Sequence, residues 1–329
     1  MGVECGSRAM SYEAKEILYR VIGAIYRHVE GFAVLEYPRS SSRRSIDIVA
    51  RFKNGRLALI KVTDDIESIS KNDVDDLKKV ASIIGSGALI VSDRAGGSKL
   101  VSGVVYEKHG VKVINVRSLE RSLSGRERIY VYQSGDTLKA KIRGSLMREI
   151  RVRRGLSLGA VASHVKVSRR TIYEYERGSI EPSVDKAERL AEIFGEEIFL
   201  PVNFLEPLKA ESPPREPLDC DVEAENIIAE KLRSSGYKVA HVKRTAADLV
   251  SLGPRSGMII VVKHGRESLD TMINKAVNSI KISRLSNAEN YVVVDSSESK
   301  RALEKEGLES VEMREFLMIA EEKKRDLKL

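Results

Sequence analysis

Two long stretches of this chain run through the same order of helix and strand signals, and that repeat constrains the fold more than any other feature. In the first, apolar residues recur at helical spacing from Tyr12 to Val29 (Ile17, Leu18, Val21, Ile22, Ile25), which predicts a helix. Apolar runs at Phe32–Tyr37, Ser45–Phe52 and Leu57–Val62 predict strands, with Asn54-Gly55 as the hairpin turn between the last two. A helix over Asp73–Ile84, a strand over Ala88–Ser92, a helix over Ser98–His109 and a strand over Val111–Val116 follow. The second stretch opens with a helix over Val222–Ser234 and strands at Tyr237–Lys243, Asp248–Leu252 and Met258–Val262. A helix over Leu269–Leu285, a strand over Tyr291–Asp295, a helix over Lys300–Glu306, a strand over Leu308–Met313 and a last helix complete it. Two local matches set the register: Ser45-Ile46-Asp47-Ile48-Val49 answers Ala246-Ala247-Asp248-Leu249-Val250, and Leu59-Ile60-Lys61 answers Val261-Val262-Lys263. A duplication is the economical explanation, and it predicts two α/β domains.

Between them lies a segment of different character. Ile129–Gln133 and Thr137–Ile142 flank Ser134-Gly135-Asp136 and predict a small hairpin. From Gly144 to Phe194 the pattern is two short helices, a turn, a capped basic helix and a closing helix after Pro182. Ser157 is placed to cap the second helix and Ser168 the third, each hydroxyl accepting a backbone N–H that helix geometry leaves unpaired. Val161, Ala162 and Val165 on one helix, and Ile172 and Tyr175 on the next, fall on inner faces. That leaves Arg169, Arg170, Tyr173 and Glu174 outward. Between Lys139 and Arg177, eleven Lys or Arg stand against three Glu, a local +8 equal to the net +8 of the whole chain. A basic surplus confined to one segment is the footprint of a polyanion-binding surface.

This central segment resembles the Xre/Cro family of helix-turn-helix domains. The resemblance rests on Gly155-Leu156-Ser157, Val161-Ala162, Val167-Ser168, Thr171-Ile172, Tyr175-Glu176-Arg177-Gly178 and Pro182-Ser183. It implies that the helix over 168–176 reads the major groove of double-stranded DNA, and that the protein binds as a homodimer on near-palindromic sites. The residues expected at DNA are Ser157, Lys166, Ser168, Arg169, Arg170, Thr171, Tyr173, Glu174 and Arg177. Arg at the start of such a helix can bond bidentately to guanine, and Glu174 can accept from a cytosine amino group or pair with Arg170. Two positions depart from the family: Lys166 stands where glycine is usual in the turn, and Leu158 where a polar DNA-contacting residue is common.

Each flanking unit resembles the core of PD-(D/E)XK nucleases, which use an Asp, then an acid two residues before a Lys, to hold Mg²⁺ and position water. Asp47 and Lys61 match the outer pair in the first copy, and Asp248 and Lys263 in the second. The middle acid is missing from both, with Leu59 and Val261 in its place. Glu13, Glu16 and Asp64 are the nearest carboxylates that could replace it in the first copy. Asp47, Lys61, Asp248 and Lys263 are therefore expected to be remnants, with no catalytic residue, no metal and no cofactor.

The expected fold is thus two α/β restriction-endonuclease-like domains, with mixed sheets flanked by helices, around a central all-α Xre/Cro domain. The boundaries fall at 1–125, 126–200, a linker over 201–220 that holds five of the eight prolines, and 221–329. Cys5 and Cys220 have no metal-ligand spacing, the five histidines form no local cluster, and no apolar run approaches a membrane span, so a cytoplasmic protein is expected. One Gln, no Trp and abundant Lys, Arg and Glu suggest a thermophile. The expected function is sequence-specific transcription regulation, with the flanking domains serving dimerisation or a protein partner. The alternatives are a metal-dependent endonuclease or junction-cleaving enzyme targeted by the helix-turn-helix, and an antitoxin-like regulator whose α/β domains bind another protein. The whole arrangement resembles a group of archaeal transcriptional regulators with a nuclease-like fold beside an Xre-type domain.

Overall fold

The computed structural model of the chain describes residues 10–208, 220, 222–253, 256–263, 265 and 267–325. Cys5, Pro213, Pro214, Pro217 and His264 lie outside the described residues. The chain divides into two compact units, Met1–Val91 with Leu205–Leu329 and Ser92–Phe204.

The first copy opens with α1 (Tyr12–Tyr26), capped by the Ser11 hydroxyl, which accepts the Ala14 N–H. Its buried residues, Ala14, Ile17, Val21 and Ile25, keep the three-four spacing of one helical face. The strands β1 (Val29–Val34), β2 (Ile48–Phe52) and β3 (Leu57–Val62) are antiparallel neighbours. The helix α2 (Lys71–Ile84) then leads to β4 (Gly87–Val91), which runs parallel to β3. A capping box between Ser70 and Asp73 starts α2, and Gly85 in the left-handed region ends it. The first helix stops at Tyr26 rather than Val29, because β1 recruits Val29 into the ladder with Phe52, with a bulge before Gly31.

The second unit begins with a two-rung ribbon of β5 (Arg94–Ala95) and β6 (Ser98–Lys99). The helix expected over Ser98–His109 is not formed. Instead β7 (Val104–Lys108) and β8 (Val111–Ile114) make a hairpin, with α3 (Val116–Leu123) after it. His109 and Gly110 both have positive φ, which breaks a helix and closes a tight hairpin. β-branched Val104 and Val105 then pair in parallel with β9 (Val131–Ser134), itself in a hairpin with β10 (Thr137–Ala140). Four helices follow: α4 (Gly144–Arg153), α5 (Leu158–Val165), α6 (Arg169–Arg177) and α7 (Val184–Phe194). They close over one apolar core that includes Met147, Val165, Ile172, Leu190 and Phe194, all fully buried. Each such side chain stabilises by about 1.5–3 kcal/mol relative to exposure.

The second copy repeats the first. It runs α8 (Glu223–Ser234), β11 (Lys238–His241), β12 (Leu249–Leu252), β13 (Gly257–Val262), α9 (Leu269–Ser286) and β14 (Glu289–Val294). It adds α10 (Ser297–Lys305), β15 (Val311–Glu312) and α11 (Met313–Arg325). The sheet order is β11-β12-β13-β14-β15, antiparallel to β13 and parallel beyond it.

Within the first unit the two copies interlock reciprocally. The helix α2 packs on β12, and α9 packs on β1 and β2. Lys79 on α2 donates to the His241 carbonyl at 2.9 Å, and Lys281 on α9 donates to the Val34 carbonyl at 3.1 Å. Three residues earlier on each helix, Asp76 accepts the Lys243 and Arg244 N–H groups at 2.8 and 2.9 Å, and Asn278 accepts the Glu36 N–H at 2.8 Å. Backbone donors just past the ends of β1 and β11 are thus satisfied by the other copy's helix. Among the described residues no helix is long and apolar enough to cross a membrane.

Candidate nucleic-acid interface

The interface is built from α5, its turn and α6. Ser157 caps α5 by accepting the Ala160 N–H at 3.0 Å, and Ser168 caps α6 by accepting the Thr171 N–H at 3.0 Å. The turn between them keeps a left-handed residue although that residue is Lys166, with φ 60° and ψ 51°. Its N–H and that of Val167 both return to the Ala162 carbonyl, closing α5. A lysine there costs conformational energy that glycine would not, and it leaves an exposed ammonium beside the start of α6.

On α6, Ile172 and Tyr175 are buried, while Arg169, Arg170, Tyr173 and Arg177 are exposed. Thr171 and Glu174 are half-buried. Among the described residues no ion pair joins Arg170 to Glu174. The Arg177 guanidinium lies 5.7 Å from the Tyr173 ring centroid, a cation–π contact one turn along the helix. Leu158, at a position where the family often has a polar group, instead packs on the domain core.

Four further residues set the pose of α6 and were not singled out from sequence. Glu176, buried on the inner side of α6, receives Nε and Nη2 of Arg151 at 2.5 and 3.1 Å. Arg151 also donates to the Leu156 carbonyl at 2.9 Å, so a single guanidinium ties α4 to α6 and to the turn before α5. The bond to Glu176 holds the Arg151 guanidinium above its ordinary pKa. Gly144 lets α4 approach the end of α6 so closely that a Cβ would sit 2.2 Å from the Tyr175 carbonyl. Gly159 lets the Arg169 guanidinium rest on α5, where a Cβ would sit 3.0 Å from Nε.

The remnant positions of the α/β copies lie in the other unit. Asp47 is wholly buried; its carboxylate accepts the Val62 N–H at 2.8 Å and lies 3.1 Å from Lys61 Nζ and 3.4 Å from Arg44. Lys61 also donates to the Ser41 carbonyl at 2.9 Å. In the second copy Asp248 accepts the Val262 N–H at 2.7 Å, the same duty. Lys263, expected as its partner, turns to Asp295 at 3.1 Å, and Lys275 of α9 pairs with Asp248 at 2.5 Å. Burial pulls Lys275 down, but Asp248, Glu267 and Tyr37 raise its pKa on balance. The ladder corrects the expected alignment of the second copy: Asp47 and Asp248 donate their N–H groups to the Ile60 and Ile260 carbonyls, so Val261 answers Lys61 and Lys263 answers Thr63. The middle-acid position is held by Leu59 and Ile259, both fully buried. Asp64 accepts from Ser11 at 2.8 Å and from the Asp65 N–H at 3.0 Å, and Glu13 and Glu16 are exposed on α1.

A capped helix, a tight turn and a second capped helix with arginines at its exposed start define the class: a helix-turn-helix DNA-binding module, carried here between two nuclease-like α/β domains. The helix-turn-helix family model matches residues 147–199, and the PD-(D/E)XK superfamily domain model matches residues 14–129. A protein of Aeropyrum pernix named as an HTH-type transcriptional regulatory protein is 40% identical over 294 residues, spanning 87% of this chain and 88% of the relative. Relatives of the same name in Thermococcus gammatolerans and Saccharolobus solfataricus are 28% and 27% identical, covering 83% and 94% of this chain and 86% and 97% of their own. The chain belongs to this family of archaeal HTH-type transcriptional regulatory proteins. Its members are named for regulation and not for a reaction, in keeping with a non-enzymatic role. No solved structure matches the chain.

Proposed function

We propose that this protein regulates transcription in the cytoplasm by binding a specific double-stranded DNA site as a homodimer, with α6 in the major groove. The observation that carries the reading is the exposed pair Arg169 and Arg170 at the capped start of α6, held in register by Arg151 and Glu176. Arginine there can reach guanine O6 and N7, each good bidentate contact being worth about 1–3 kcal/mol of discrimination. Ser157, Lys166, Ser168, Thr171, Tyr173 and Arg177 line the same approach and serve phosphate positioning, with Glu174 a secondary base contact. We read the functional domains as 1–125, 126–200, the linker 201–220, and 221–329.

In this reading the α/β copies are catalytically degenerate. A divalent cation needs several oxygen ligands, and the Asp47 carboxylate is already engaged by two cationic side chains. The endonuclease alternative is tested by incubating supercoiled and branched DNA with Mg²⁺ or Mn²⁺; intact DNA is the expected result.

The decisive experiment is selection from random duplex DNA, followed by anisotropy at two salt concentrations, with Arg169→Ala/Arg170→Ala as the control. A near-palindromic site, bound far more tightly than random DNA and lost in the control, is the expected outcome. Salt-sensitive binding with no enriched site would refute base reading by α6.

A further inference from the structure

Among the described residues, Cys220, Glu225 and His241 place one ligand atom each within 4.8 Å of one another. They come from three places: the chain just ahead of α8, the first turn of α8, and the last residue of β11. Glu225 is fully buried and His241 6% exposed, with Nε2 and Oε2 3.1 Å apart. Cys220 is half-buried and packs on the apolar cluster formed by α8, its sheet and α11.

The internal repeat shows what the fold itself requires at these positions. The buried face of α8 runs Glu225, Ile228, Leu232; that of α1 runs Ala14, Ile17, Val21, at the same spacing. His241 and Val34 are likewise equivalent, since each gives its carbonyl to a lysine of the opposite copy. Each is also followed by a residue whose N–H donates to the remnant Asp carbonyl. The first copy therefore holds a buried alanine and a half-buried valine at these positions. A buried ion pair seldom stabilises more than apolar residues of similar volume, so packing alone does not account for Glu225 and His241. A thiol beside them completes a borderline-soft donor set of sulfur, nitrogen and oxygen.

We propose that Cys220, Glu225 and His241 form a zinc site that ties the segment entering the second α/β domain to α8 and β11. Tetrahedral zinc takes thiolate at about 2.3 Å, imidazole nitrogen at about 2.0–2.1 Å and carboxylate oxygen at about 2.0–2.2 Å. Ligand atoms in such a site lie roughly 3.3–3.6 Å apart, so side-chain adjustments within this group suffice. Binding places the cation between His241 Nε2 and Glu225, so the proton that these two atoms share and the Cys220 thiol proton are both displaced to solvent. Three protein ligands leave the fourth position to water.

The test is made on the full chain, stripped with a chelator, reloaded with Zn²⁺ or Co²⁺ and gel-filtered. One zinc per chain is expected, with a thiolate-to-cobalt charge-transfer band that survives Cys5→Ser and disappears in Cys220→Ser. Glu225→Ala/His241→Val restores the residue types of the first copy, so it is designed to fold, and it should lose the metal. Chelation should lower the melting temperature of the wild type and leave that of the double variant unchanged. Absence of bound zinc in the folded wild type overturns the site. A cobalt spectrum indifferent to Cys220→Ser, or full metal occupancy in the double variant, overturns it equally.

Discussion

Replacing Arg151 by methionine should loosen α6 without changing any residue proposed to face DNA. The substitution keeps an apolar stem of similar length but removes both bonds to Glu176 and the bond to the Leu156 carbonyl. Hydrogen bonds to charged groups contribute about 1.5–3 kcal/mol each, and breaking a fully buried pair costs about 3–5 kcal/mol. Glu176 is buried, but the Arg151 side chain is 12% exposed at the domain edge, so water screens part of the loss. The expected destabilisation is therefore about 2–4 kcal/mol. Because the chain has more than one unit, global unfolding would blur this; amide hydrogen exchange over α4 to α6 reads it locally. At tenfold per 1.36 kcal/mol, protection there should fall about 30-fold to 1000-fold. DNA affinity should fall on specific and random sequences alike. Adding Glu176→Gln to the variant should recover part of the loss, since the orphaned charge is gone. Protection within about threefold of wild type, or no recovery in the double variant, would refute the claim that this ion pair sets the pose of α6.

Two further outcomes are expected. Lys166→Gly relieves a left-handed lysine (φ 60°) and should stabilise the helical domain by up to about 1 kcal/mol, seen as a raised melting temperature. The same change should weaken DNA binding and lower the salt slope by about one charge; a loss of stability would show that the turn is held some other way. Lys275 has a folded pKa above its ordinary 10.5, so its contribution is fully present below that value and is lost as pH rises through the raised one. Melting temperatures followed upward from pH 8 should fall more steeply in the wild type than in Lys275→Met; parallel curves would remove the Asp248–Lys275 pair from the stability of the second copy.

The helix-turn-helix was legible in the sequence because its determinants are local. Ser157 and Ser168 cap helices that begin one residue later, and Ile172 and Tyr175 declare an inner face by spacing alone. The doubled α/β order was legible for the same reason, through strand runs and the matched Asp47 and Asp248. What failed depended on partners distant in the chain. Val104 and Val105 became a strand because β9 was there to pair with them, a fact no window around residue 104 contains. Glu176 finds Arg151 across the domain, and Asp248 takes its cation from α9, whereas the alignment of the two copies pointed to Lys263. Cys220, Glu225 and His241 meet only when α8 folds onto β11.

The reciprocal seating of α2 and α9 has a consequence for assembly. Two like modules that meet as separate chains exchange subunits, dissociate on dilution and can be captured by a paralogue of similar surface. Here the counterpart is delivered on the same polypeptide, so its effective concentration is fixed by the tether and independent of expression level. That contact cannot be diluted apart or poisoned by a mixed partner. It also frees the halves from having to remain self-complementary: one can keep Asp76 where the other has Asn278, because each surface meets only the other and never a copy of itself.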